Sequence, residues 1–83
     1  MQTGTLKEQI RESIVRKFPL ARSIGNADDL LGGGIIDSLG ILEIVTLLES
    51  AYGVTMTDED LTPENFQSVD CIASFVERKL NDR

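Results

Sequence analysis

Apolar residues recur every three or four positions in three separate segments of this 83-residue chain, and this spacing limits the fold to a helical one. The first segment covers residues 5–18, and its apolar residues fall on one side of a helix: Leu6, Ile10, Ile14 and Phe18. Thr5 and Glu8 have the spacing of a capping box, and Pro19 is expected to stop the helix. This segment therefore predicts a first helix that ends before Pro19.

The second apolar segment predicts a helix over residues 37–52, with an Asp or Ser cap at its start and Gly53 just after its end. At 100° per residue, the face expected to enter the core contains Ile41, Ile44, Val45, Leu48, Ala51 and Tyr52. The opposite face contains Leu39, Glu43, Thr46 and Ser50, with Leu42 and Glu49 at its border. We therefore expect Leu39 to be exposed among polar side chains.

Two further helices complete the prediction. A short one is expected at residues 63–66 and a longer one from about Ser68, where the apolar spacing resumes. The buried side of the last helix is expected to contain Val69, Ile72, Ala73, Val76 and Leu80. Cys71 lies off that side and is expected to be partly exposed, while Arg78, Lys79 and Arg83 suit the negative end of the helix dipole.

Residues 19–36 lose the periodicity and contain three consecutive glycines, so they are predicted to form a long loop. Its apolar residues are expected to pack back onto the helices: Ile24, Leu30, Leu31, Ile35 and Ile36. The fold class is therefore predicted as all-α, a four-helix bundle with three longer helices, one short helix and a long loop between helices 1 and 2. A chain of this length is expected to form one domain, residues 1–83, with one core.

The net charge of −6 is unevenly distributed, because no Lys or Arg occurs between Arg22 and Arg78 while eleven acidic residues do. The field of this central region repels phosphate backbones and attracts basic protein surfaces. Nucleic acid is therefore not expected as a partner.

Residues 1–5 lack the basic and apolar regions of a signal peptide, and no apolar run is long enough to cross a membrane. The single cysteine, Cys71, cannot form an internal disulfide, and the chain has no histidine to serve as a general base. We expect a cytoplasmic protein without membrane insertion.

Three features carry a family resemblance: the Asp37-Ser38-Leu39 motif, the apolar and acidic helix that follows it to Gly53, and the segment of residues 61–66. On these residues the chain resembles the acyl carrier protein family, which includes the peptidyl and D-alanyl carrier proteins. The resemblance implies that a phosphopantetheinyl transferase attaches 4′-phosphopantetheine from coenzyme A to Ser38. It also implies that Asp37 helps that enzyme to hold its metal and coenzyme A.

The resemblance further implies a free-standing, monomeric carrier that is not an enzyme and has no catalytic or metal-binding residues of its own. Such a carrier moves a thioester-bound acyl or aminoacyl intermediate from a loading ligase to acyl-processing enzymes. Its partner-binding residues are expected on the second helix: Leu39, Leu42, Glu43, Thr46 and Glu49. An apolar spot among acidic side chains suits a basic surface with an apolar centre.

Two residues depart from the usual carriers of fatty-acid synthesis. Gly40 stands where an acidic residue is common, and Thr46 stands where a larger apolar residue is common. Both are expected to touch the partner face. This departure favours a specialised pathway over primary fatty-acid synthesis.

Other interpretations remain open from the residues alone. Asp37 and Ser38 can be an ordinary helix cap within an acidic protein-interaction module that carries no prosthetic group. A small hydrolase using Ser38 is disfavoured, because no histidine or lysine in the central region can activate the hydroxyl. The Asp58-Glu59-Asp60 run lacks the spacing and the glycine of a calcium loop, so no metal site is predicted.

Overall fold

The computed structural model describes residues 5–81, which form four α-helices and no strand. The helices are α1 (Leu6–Lys17), α2 (Ser38–Tyr52), α3 (Pro63–Phe66) and α4 (Val69–Asn81). This confirms the all-α prediction of three longer helices and one short one. The expectations for residues 1–4 and for Arg83 lie outside the described residues.

The capping box predicted for α1 is present. Thr5 Oγ1 accepts a hydrogen bond from the Glu8 N–H at 3.2 Å, and Glu8 Oε1 accepts one from the Thr5 N–H at 3.0 Å. The helix ends at Lys17, and Pro19 begins a 3-10 helix over Pro19–Ser23. Local sequence signals therefore set both ends of α1.

The core-facing side of α2 is narrower than predicted. Ile44, Val45 and Leu48 are buried as expected, but Ala51 is exposed, and Tyr52 and Ile41 are only half-buried. Ala51 lines an open groove of about 390 Å³ between α1 and α2, so no element covers the last turn of α2 on that side. The partial burial of Tyr52 raises the pKa of its hydroxyl. The prediction that Ala51 belongs to the core was therefore wrong, whereas Tyr52 and Ile41 pack against the core without being fully buried.

The end of α2 follows the sequence signal. Gly53 stops the helix with a φ of 70°, and its N–H donates to the Glu49 carbonyl at 3.0 Å. This left-handed conformation is costly for a residue with a side chain, which explains the glycine at this position.

The long loop between α1 and α2 is ordered by polar bonds as well as by apolar packing. Leu30 and Ile36 are buried in the core, which confirms that the loop packs back onto the helices. The Arg11 guanidinium donates to the Ile24 carbonyl at 2.6 Å and to Asn26 Oδ1 at 2.9 Å. Asn26 in turn accepts the Asp70 N–H at 3.0 Å, so the loop connects α1 to α4.

The last helix buries more surface than its own apolar stripe predicts. Val69, Ile72, Ala73 and Val76 are buried as expected, whereas Leu80 is only half-buried. Phe75 is also buried, because α3 covers that flank and places Phe66 edge-to-face with it at 5.6 Å between ring centres. Leu80 packs against the core, as predicted, but is less buried than the rest of the stripe, because it lies in the last turn of α4.

Ser68 and Cys71 match their predicted positions at the start of α4. The Cys71 N–H donates to Ser68 Oγ at 3.1 Å, and Cys71 is partly exposed. Across residues 5–81, none of the helices combines the length and the apolar character that spanning a bilayer requires.

Candidate functional site

Ser38 is the first residue of α2 and is exposed. The residue before it, Asp37, caps the helix: its Oδ1 accepts a hydrogen bond from the Gly40 N–H at 2.9 Å. The first N–H groups of a helix have no acceptor within the helix, and together with the helix dipole they favour negative charge. The Gly40 N–H is already bonded to Asp37, so it is the other free N–H groups of the first turn, with the helix dipole, that favour a phosphodiester on Ser38.

The loop that leads to Ser38 is anchored just before the serine. The N–H groups of Ile35 and Ile36 both donate to the Leu30 carbonyl at 3.2 Å, and Ile36 is almost completely buried. Gly34, which has a φ of 78°, lies in open space: an added Cβ would meet no atom within 4 Å. Ser38 therefore follows a segment held by hydrogen bonds and burial, and its own exposure leaves room for a large substituent.

The exposed face of α2 begins beside Ser38. Leu39 is 67% exposed and Leu42 is 52% exposed. A single exposed leucine is common on protein surfaces, but these two are three residues apart and so lie together on one side of the helix. Glu43, Thr46 and Ser50 are also exposed, as the helical spacing predicted. The structure thus places two exposed leucines next to an acidic side chain on one face.

Glu49 differs from the other residues predicted to bind partners. It is half-buried, and its Oε2 accepts a hydrogen bond from the Met56 N–H at 2.9 Å. This bond ties α2 to the connection that follows it. Sequence reasoning missed this contact, because nothing in the spacing of Glu49 and Met56 indicates it.

Gly40 does not lie on the partner face, so that prediction was wrong. It is buried, and a Cβ placed on it would lie 2.8 Å from Ile36 Cγ2 and 3.2 Å from Phe18 Cζ. The sequence did indicate that Gly40 is buried. Its spacing of four residues from Ile44, and of eight from Leu48, places it on the same side of the helix as these two residues. Thr46, the second departure, is exposed as predicted, and its hydroxyl donates to the Leu42 carbonyl at 3.1 Å.

The charges near Ser38 are acidic and unpaired within residues 5–81. The two ion pairs of this part of the chain join Lys7 to Asp70 at 2.8 Å and Lys79 to Asp60 at 2.7 Å. Neither pair involves Asp37 or Glu43. The negative field of this face is therefore available to a basic partner.

The family model named "phosphopantetheine attachment site" matches residues 8–78, a range that includes Ser38 and most of the four helices. The chain belongs to this family. Members of the phosphopantetheine attachment family carry 4′-phosphopantetheine covalently and are carriers rather than enzymes. No curated protein and no solved structure matches the chain.

Membership confirms the resemblance to acyl carrier proteins and the predicted cofactor. It also favours a carrier over an interaction module without a prosthetic group. A phosphopantetheine carrier interacts with a phosphopantetheinyl transferase and with other enzymes. The exposed Ser38 at the start of α2 fits such a group.

Proposed function

We propose that Ser38 carries the 4′-phosphopantetheine arm and that the chain moves an acyl or aminoacyl group from a loading ligase to acyl-processing enzymes. The observation that carries this proposal is the position of Ser38: an exposed first residue of a helix whose cap is supplied by Asp37. When attached, the arm supplies a thiol that holds the cargo as a thioester. The chain's own residues present this arm and bind the partners.

Ser38 differs from the other serines of the described chain in both position and contacts. Ser68 is buried and accepts the Cys71 N–H, and Ser23 Oγ donates to the Leu20 carbonyl at 3.1 Å. The remaining serines lie inside helices rather than at a first turn: Ser13, Ser50 and Ser74. Ser38 alone among these serines combines exposure with a helix start.

Asp37 has two proposed roles that its geometry allows together. One carboxylate oxygen caps α2 through the Gly40 N–H. The residue is exposed, so its carboxylate remains accessible to the metal and coenzyme A of the transferase. This second role is taken from the resemblance to acyl carrier proteins.

The proposed partner face consists of Leu39, Leu42, Glu43, Thr46 and Glu49. Exposed leucines beside acidic groups complement a basic surface with an apolar centre. The Glu49 carboxylate is less available to a partner than that of Glu43, because it already accepts the Met56 N–H. The proposal of a specialised pathway rests on Thr46, since Gly40 is buried. We further propose one monomeric, cytoplasmic carrier domain over residues 1–83.

The experiment that tests this function uses acetyl-coenzyme A, magnesium and a broad-specificity phosphopantetheinyl transferase. The wild-type chain is expected to gain one acetyl-phosphopantetheine unit in its intact mass. Neutral hydroxylamine should then remove the acetyl group and leave the arm, because a thioester is cleaved under conditions that spare a phosphodiester. Ser38→Ala should gain neither the arm nor the acetyl group. An acetyl group that resists hydroxylamine would contradict a thioester carrier.

A further inference from the structure

Gly40 lies where three segments of the chain meet. An added Cβ would be 2.8 Å from Ile36 Cγ2 and 3.2 Å and 3.3 Å from Cζ and Cε1 of Phe18. Non-bonded carbon atoms prefer separations of about 3.5–4.0 Å, so these atoms occupy the space of the missing side chain. The glycine lets Ile36 and Phe18 pack directly onto the first turn of α2.

Both neighbours of Gly40 are held in place from elsewhere. Ile36 is almost fully buried and its N–H donates to the Leu30 carbonyl, while the Phe18 N–H donates to the Ile14 carbonyl at 2.7 Å at the end of α1. The Cγ2 atom of Ile36 is a branch next to the backbone, and a branched side chain has few alternative rotamers. The half-buried ring of Phe18 can rotate, but Ile36 Cγ2 cannot, so a side chain at position 40 must shift Ile36 or the first turn of α2.

The same residue completes the helix cap. Its N–H donates to Asp37 Oδ1, so Gly40 is bonded to the residue before Ser38 and packed against the segments on either side. Ser38 and Leu39 lie between Asp37, which accepts this hydrogen bond, and Gly40, which donates it. The position of the Ser38 hydroxyl thus depends on contacts that only glycine permits at position 40.

We propose that Gly40 is a positioning residue for phosphopantetheine attachment, acting through Ser38; this inference rests on the proposed function of Ser38. A Cβ at position 40 displaces the first turn of α2 from Ile36 and Phe18. The later turns, which carry Leu42 and Glu43, keep their packing through Ile44 and Leu48. The serine hydroxyl therefore moves relative to the surface on which the transferase docks.

Gly40→Ala is expected to lower the kcat of attachment about tenfold, because displacement of a reacting atom by 1 Å can cost about 100-fold in rate. KM for the protein substrate should change less than kcat, within about threefold, since Leu39 is the one partner-face residue in the displaced first turn and the other four lie in later turns of α2. Helix propensity alone predicts the opposite trend, because alanine favours a helix more than glycine does. A fall in kcat therefore reports the lost packing and cap geometry.

Two matched variants separate this role from a general effect of the substitution. Gly25→Ala is the glycine control, because a Cβ there would lie 3.5 Å from Asp28 Oδ2, an ordinary contact. Ile36→Leu removes the Cγ2 branch and keeps the side-chain volume. The double variant Gly40→Ala with Ile36→Leu should therefore recover most of the kcat that Gly40→Ala loses.

The experiment measures the steady-state kinetics with which one transferase moves phosphopantetheine from coenzyme A to the chain, together with the backbone amide chemical shifts of Ser38 and Leu39. Gly40→Ala should move these two amides and lower kcat, whereas Gly25→Ala should do neither. If Gly40→Ala does not fold, the double variant is expected to fold and to be modified at the rate of Ile36→Leu alone. Failure of the double variant to recover, with Ile36→Leu behaving normally, would overturn the inference.

The outcomes also separate this inference from the proposed function. A wild-type chain that gains no arm at Ser38 overturns both. A wild-type chain that is modified at Ser38 while Gly40→Ala keeps the same kcat and the same Ser38 amide shift overturns the positioning role alone.

Discussion

Asp37 Oδ1 accepts the Gly40 N–H at 2.9 Å, so the cap of α2 is supplied by the residue before Ser38 and not by the serine itself. Loss of this bond in Asp37→Ala should lower the free energy of unfolding by about 1 kcal/mol, the usual effect of removing an N-cap. Ser38→Ala should change it by less than about 0.5 kcal/mol, as for other exposed positions. Urea unfolding of the two variants measures the difference, and a larger loss in Ser38→Ala would show that the serine is structural.

The two sides of α2 should differ sharply in their effect on stability. Leu48 is fully buried, so Leu48→Ala is expected to lower the free energy of unfolding by about 2–5 kcal/mol. Leu39 is 67% exposed, and Leu39→Ala should change it by less than about 1 kcal/mol while it slows modification by the transferase. Chemical denaturation followed by circular dichroism tests this contrast. Equal destabilisation by the two substitutions would mean that the assigned helix face is wrong.

Glu43 is expected to speed partner association through long-range attraction, because it is exposed and has no ion-pair partner in residues 5–81. Glu43→Lys should slow attachment by about threefold to tenfold at low salt, and the difference should shrink as salt screens the charge. Glu77→Lys, an equal charge change at an exposed residue of α4, is the control. An attachment rate that changes neither with Glu43→Lys nor with ionic strength would contradict this long-range attraction.

The same substitution at Glu49 should act differently, because Glu49 Oε2 accepts the Met56 N–H. Glu49→Lys is therefore expected to reduce stability as well as association, unlike Glu43→Lys. Thermal unfolding of the two variants distinguishes these effects. A Glu49→Lys protein as stable as Glu43→Lys would show that the bond to Met56 contributes little.

The pairing of Asp60 with Lys79 should make stability depend on pH. The hydrogen bond from Lys79 Nζ at 2.7 Å, followed by that from the Thr57 N–H, lowers the pKa of Asp60 below its usual value. Its contribution to stability is therefore fully present above the carboxyl pKa of the unfolded chain, about 3.9, and is lost as pH falls through the lower pKa of the folded protein. Urea unfolding between pH 6 and pH 2 should show Asp60→Asn approaching the wild type as pH decreases. A constant difference across this range would contradict the pairing.

Features set by neighbouring residues in the chain could be predicted from the sequence. The capping box of Thr5 and Glu8, the stop at Gly53 and the cap at Asp37 each depend on residues only a few positions apart. The exposed face of α2 followed from the helical period. The position of Ser38 at a helix start could therefore be predicted from the sequence alone.

Features that depend on distant segments could not be read in this way. Arg11 holds the loop through acceptors at Ile24 and Asn26, and Phe75 is buried because α3 packs over it. The exposure of Ala51 likewise reflects the open groove between α1 and the last turns of α2. These contacts depend on how the helices pack, which local periodicity does not specify.

The most direct test of the carrier account is to localise the modification. Wild-type protein, Ser38→Ala and Ser50→Ala are each treated with coenzyme A, magnesium and the transferase, and intact mass is followed by peptide fragmentation. Ser50 is an exposed serine of the same helix, so Ser50→Ala is the matched control. A carrier that uses Ser38 should gain one phosphopantetheine unit on that residue in the wild type and in Ser50→Ala, and none in Ser38→Ala. A unit that persists in Ser38→Ala, or its absence from the wild type while another carrier is modified in the same tube, would contradict this use of Ser38.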